Sequence, residues 1–182
     1  MEALSLSTGP HVQFAAALAL AFAGDAVRSQ ALADELGNRF PEHSVIQFNH
    51  LPTIRAQLAL NRDDSSKAIA ILQTAGPYEL SDDGGLYPIY VRGNAYLAAH
   101  HRSEAAAEFQ KILDHRGIVL NSPIGALAHL QLGRAYAMQG DTAKAKAAYQ
   151  DFLTLWKDAD PNIPILKQAK AEYTKLQRLS RI

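Results

Sequence analysis

Seven histidines and one cluster of acids are the side chains in this 182-residue sequence best suited to chemistry. Imidazole binds metal ions and moves protons near neutral pH, so the spacing of the histidines decides whether they can act together. His100 and His101 are adjacent, which on a helix turns them about 100° apart and keeps them from sharing one ion. No His-Glu-x-x-His pair occurs, and no pair of carboxylates stands one helical turn from a histidine to build a metal site. The stretch SDDGG, residues 81–85, concentrates acid at a turn, but its carboxylates are consecutive where a calcium loop alternates them. It reads as a solvated turn. Cysteine is absent, which excludes disulfides, thiol nucleophiles and thiolate zinc sites. A Gly-x-Ser-x-Gly elbow, a phosphate loop and N-glycosylation sequons are also missing. The expectation is a chain without catalytic residues, cofactor or metal.

The elements that position these side chains follow from composition. Hydrophobic residues make up 48% and aromatics only 8%, with alanine supplying much of the difference. Alanine has the best helix propensity and lets helices approach closely, so the chain should be helical and folded. Net charge is +0, which leaves no global field to gather nucleic acid or an anionic membrane. The apolar run FAAALALAFAG, residues 14–24, resembles a signal-peptide core, yet Glu2 precedes it and Arg28 follows it, the reverse of a secretory signal. It is also too short to span a bilayer. It reads as a buried first helix of a cytoplasmic protein.

One pattern recurs four times. The stretch LGRAYAMQGDTAKAKAAYQ places Gly133 and Tyr136 before a Gly140-Asp141 turn, with Ala145 and Tyr149 after it. Upstream copies offer Gly93, Tyr96, His100-His101, Ala105 and Phe109, and then Ala56, Ala59, Asp63-Asp64, Ala68 and Leu72. The first copy offers Ala17, Leu20, Gly24-Asp25, Ser29 and Ala33. Each copy carries two small residues twelve apart: Ala17/Ser29, Ala56/Ala68, Gly93/Ala105 and Gly133/Ala145. Two antiparallel helices joined by a short turn cross closely only where bulky side chains are missing, and such a pair supplies that crossing. Larger residues on either side then fill the wedge.

These landmarks resemble the tetratricopeptide repeat, a helix–turn–helix unit of about 34 residues. The resemblance implies an all-α fold: a right-handed superhelical stack of about four such hairpins, copies 10–43, 49–82, 86–120 and 126–160, plus a capping helix over 164–182. HEAT-type repeats have a closer period, roughly 40–47 residues, but lack the Gly-Asp turn and the paired small positions. In the final helix Leu166, Ala169, Tyr173 and Leu176 share a face, opposite Lys167, Lys170, Arg178 and Arg181. That pattern suits a cap with a solvated back. The stretch from Leu86 onward also resembles the repeat region at the C-terminal end of some bacterial serine/threonine kinases. The kinase core is missing, without glycine-rich loop, VAIK, HRD or DFG.

The resemblance implies binding rather than catalysis, in a groove lined by the first helix of each hairpin. Carried over by alignment, the groove residues are Gln57, Tyr87, Tyr90, Asn94, Gln131 and Arg134, flanked by His50, Thr53, Leu130, Phe14, Leu18 and Phe22. Asn94 and Arg134 alone match the family's carboxylate clamp in type, so a clamp is not expected. The expected partner is a protein or peptide, with no nucleic acid and no membrane. The alternative is a homodimer through the apolar first copy.

Overall fold

The computed structural model describes residues 9–81 and 85–179, and they are all-α, with no strand among them. Paired helices follow one another along the chain: α1 (Pro10–Phe22) with α2 (Ala26–Arg39), and α3 (Leu51–Leu60) with α4 (Ser65–Leu72). Next come α5 (Tyr87–Ala98) with α6 (Arg102–Asp114), and α8 (Pro123–Gln139) with α9 (Thr142–Leu155). A short α7 (Arg116–Val119) leads into α8, and α10 (Pro164–Leu179) packs on α9. The first helices α1, α3, α5 and α8 each touch the next first helix, and each second helix touches the pair that follows. Prolines 10, 52, 88, 123 and 164 sit in the first turns of five helices, where a missing N–H breaks no helical bond.

All four turns are built alike. A residue one to three positions beyond the first helix has positive φ: Gly24 at 83°, Asp63 at 59°, His100 at 59° and Gly140 at 82°. Each turn closes with the same two backbone bonds, as in Gly140 N–H to Ala137 O and Asp141 N–H to Tyr136 O. This double closure satisfies carbonyls that a helix end otherwise leaves open. The next residue caps the second helix in three copies: Asp25, Asp64 and Asp141 each accept a hydrogen bond from the backbone N–H three residues on. His101 takes that place in the third copy and makes no side-chain cap. A β-carbon in the left-handed region costs on the order of 1 kcal/mol. His100→Gly is therefore expected to stabilise the chain by about 1 kcal/mol and raise its melting temperature by roughly 2–4 °C. Gly140→His is expected to cost as much, and calorimetry of the two variants checks both signs.

The small pairs sit at the helix crossings. Ala17, Ser29, Ala56, Ala68, Ala105 and Ala145 are fully buried, and the Ser29 hydroxyl donates to Ala17 O at 2.8 Å across the first crossing. A Cβ on Gly93 would lie 2.6 Å from the Phe109 ring, and one on Gly133 would lie 2.9 Å from the Tyr149 ring. Phe109 and Tyr149 thus fill space that only glycine leaves. Each hydrophobic cluster then joins one pair to its successor. Leu36 and Ile54 share a cluster, as do Leu72 and Val91, Phe109 and Ala128, and Phe152 and Leu166.

Three local features depart from the repeat pattern. A π-helical turn, Ile46–His50, precedes α3. Pro52 explains it: proline gives no N–H and crowds the carbonyl four residues back, and widening the preceding turn makes room. Thr53 donates its hydroxyl to Asn49 O at 2.6 Å in the same turn. Beyond α4 a 3₁₀ segment, Gln73–Tyr78, carries the chain to Glu79, which lies 3% exposed beneath Arg92. In α10, Leu166 and Ala169 are buried against α9 and Lys167, Lys170 and Arg178 are exposed, while Arg181 lies outside the described residues. The SDDGG turn falls largely outside them too.

Candidate functional site

The residue after each first-helix small position makes a column in register: Leu18 and Gln57, which are buried, and Asn94 and Arg134, which are half-buried. Packing of α1, α3, α5 and α8 side by side brings the column together. At its C-terminal end lies a continuous polar chain. Gln131 donates from Nε2 to the Tyr90 hydroxyl at 3.4 Å and accepts at Oε1 from Arg134 Nη1 at 3.2 Å. Arg134 donates from Nε and Nη2 to the two carboxylate oxygens of Glu172, each at 2.9 Å. The Tyr149 hydroxyl donates to the same carboxylate at 2.7 Å. Burial lowers the Arg134 pKa, but the Glu172 carboxylate outweighs it and the net shift is upward. Burial also raises the pKa of the Tyr90 phenol, with Gln131 and Asn94 pulling the other way.

Nearer the N-terminus the face is amide and aromatic. Gln57 donates from Nε2 to Asn61 Oδ1 at 2.9 Å, and Asn61 donates from Nδ2 to Ala21 O at 2.6 Å, tying α3 to α1. Gln57 is 8% exposed, and its Oε1 accepts no hydrogen bond among the described residues. Phe22, 44% exposed, sets its ring edge-on to Tyr90 at 6.3 Å. Phe14 stacks on His50 at 3.9 Å and meets the Tyr87 ring edge-on at 6.2 Å. The Tyr87 hydroxyl shares a hydrogen bond with the Ser122 hydroxyl at 3.3 Å.

Of the six residues carried over from the sequence, Tyr90, Gln131 and Arg134 are joined directly and Asn94 stands beside Tyr90. Gln57, on α3, and Tyr87, on α5, do not join that chain. The flanking His50, Thr53, Leu18 and Leu130 are buried in packing between helices. Sequence reasoning missed Asn61 and Glu172. Asn61 carries a usable signal, standing one turn after Gln57 as Phe22 stands after Leu18. Glu172 carries none, because its partner lies on a helix 38 residues away.

Away from this face a cavity of about 750 Å³ opens between α6, α7, α8 and α9. Trp156, Leu120 and Leu155 line it, and His129 Nδ1 stands 3.5 Å from Asp151 Oδ2 beside it. Burial pulls the His129 pKa down, Asp151 opposes that and Arg116 adds to it, with a net lowering. The described residues contain no group of three metal-ligating side chains. They also contain no helix long and apolar enough to cross a membrane. No family model, curated protein or solved structure matches the chain.

The Tyr149 pair has a consequence for alkaline stability. Burial, and then Glu172, hold the Tyr149 phenol well above its ordinary value of 10.0. The unfolded chain therefore releases this proton more readily than the folded one, so the stability it contributes is complete below pH 10 and falls as pH climbs beyond. The alkaline limb of unfolding should begin near pH 10, and Tyr149→Phe should flatten it. Denaturation midpoints measured from pH 8 to pH 11 check this.

Proposed function

We propose that the chain is a tetratricopeptide-like superhelical scaffold, without enzymatic activity, that binds a peptide or protein segment along the concave face formed by α1, α3, α5 and α8. The observation that carries the reading is the column Leu18, Gln57, Asn94 and Arg134, one residue per pair on adjoining helices. Amides donate and accept at once and suit a peptide backbone, while Tyr and Arg are the residue types that most often anchor interfaces. The shared backbone closure of the four turns and the buried small pairs support the repeat assignment. The sequence likeness to kinase-associated repeats suggests a docking or sensory role within a bacterial signalling protein.

The test is affinity selection of a displayed random-peptide library on the immobilised chain. Peptides are expected to be enriched, and the Tyr90→Ala/Asn94→Ala double variant is expected to weaken their binding at least tenfold. An enriched set that binds the double variant equally well would place the groove elsewhere.

A further inference from the structure

We propose that the cavity between α6, α7, α8 and α9 is a second binding site, for a small organic acid with an apolar body. The carboxylate head is held at Arg116, and the body lies against Leu120, Leu155 and Trp156. This site lies away from the first-helix face and does not depend on how that face is read.

The mouth of the cavity is built at a cost. Leu120 stands at φ 48° and ψ −127°, backbone that suits glycine and strains a residue with a β-carbon. Its side chain is nevertheless 79% exposed, and Leu155, lining the same cavity, is 60% exposed. Within the chain alone, a leucine at 120 gains neither backbone ease nor burial. Strain of this kind gathers at ligand sites, and exposed apolar patches mark surfaces that something covers. An apolar body laid on Leu120 and Leu155 gives both the burial they lack. Trp156 adds a flat wall, with its ring centre 5.0 Å from that of buried Phe152. The volume, about 750 Å³, falls within the range of small-molecule sites.

Charge selects the head group. Arg116 lines the same cavity and is exposed, and its guanidinium makes no ion pair or hydrogen bond among the described residues. A guanidinium stays charged and offers two parallel donors that match a carboxylate. Among the described lining residues the acid is Asp151, which already has His129 at 3.5 Å. Burial holds the His129 pKa down, so at neutral pH the imidazole adds no second cation. The unanswered charge in the wall is therefore the positive one at Arg116. An alcohol or an ammonium head would leave it unanswered.

Trp156 is the chain's one tryptophan, so its fluorescence reports occupancy of the cavity. Octanoate, octanol and octylammonium are titrated into the full chain, read by fluorescence and by calorimetry. Octanoate is expected to bind at least tenfold more tightly than the other two. From hexanoate to decanoate, affinity should rise about twofold to fourfold per methylene. Arg116→Gln should abolish the preference for octanoate and leave octanol unchanged, while Asp151→Asn should not weaken octanoate. Leu120→Gly should weaken octanoate about fivefold and yet raise the melting temperature, which separates a ligand contact from a support of the fold. Equal binding of the three probes, a preference that survives Arg116→Gln, or no octanoate binding in the millimolar range would overturn the inference. A peptide ending in a free leucine carboxylate that binds tenfold more tightly than decanoate would overturn the small-acid assignment.

Discussion

Gly93→Leu is expected to destabilise the chain by about 3 kcal/mol or more, lowering its melting temperature by roughly 6–12 °C. A β-carbon alone would reach 2.6 Å from Phe109 Cε1 and 2.7 Å from its Cζ, and Phe109 is fully buried with nowhere to retreat. The gain in helix propensity on leaving glycine, about 1 kcal/mol, offsets only part of that cost. Gly133→Leu should behave alike, because Tyr149 lies 2.9 Å from the corresponding point and Ala145 O lies 3.4 Å from it. Gly117 has nothing within 4 Å of its Cβ position, so Gly117→Leu should cause no loss and gain up to about 1 kcal/mol of helix propensity. Urea titration of the three variants separates a crossing-point effect from a general intolerance of leucine. Equal losses at Gly93 and Gly117 would remove the steric basis of the hairpins.

Removing the carboxylate of Glu79 should cost about 3–5 kcal/mol. Arg92 is 8% exposed at its side chain and places Nη2 2.8 Å from Glu79 Oε2 and 2.6 Å from Glu108 Oε2. Lys111 closes the group by pairing with the other oxygen of Glu79. Burial pulls the Arg92 pKa down, and the Glu108 and Glu79 carboxylates more than restore it. Arg92 also reaches Leu72 O at 3.4 Å, so the group binds the second pair of helices to the third. With Glu79 gone, the buried guanidinium keeps one carboxylate of two. Glu79→Met and Arg92→Met should each be severe, and the double variant should lose less than the two losses added, since neither charge is then left stranded. A denaturant double-mutant cycle measures that coupling, and strict additivity would mean the group stabilises nothing jointly.

Much of the fold was legible because it depends on positions that repeat. Ala17/Ser29, Ala56/Ala68, Gly93/Ala105 and Gly133/Ala145 are read at fixed spacing, and each lands where two helices cross. The turns were legible for the same reason, down to the shared role of Gly24, Asp63, His100 and Gly140. What escaped is whatever joins residues of unrelated spacing. Arg92 pairs with Glu79, in a segment that follows no repeat. The π-helical turn ahead of Pro52 is a backbone adjustment without a residue code. The proposed binding face divides likewise. Gln57, Asn94 and Arg134 share one register and were found together, but the engagement of Arg134 by Glu172 depends on where the last helix lands.

The most direct test of the central claim, that the first helices present one polar column to a peptide, is nuclear magnetic resonance of the side-chain amides. Titration of a selected peptide into the ¹⁵N-labelled chain should shift the NH₂ signals of Gln57, Asn94 and Gln131, with backbone shifts confined to α1, α3, α5 and α8. Shifts confined instead to α2, α4, α6 and α9, with those three amides unmoved, would contradict it.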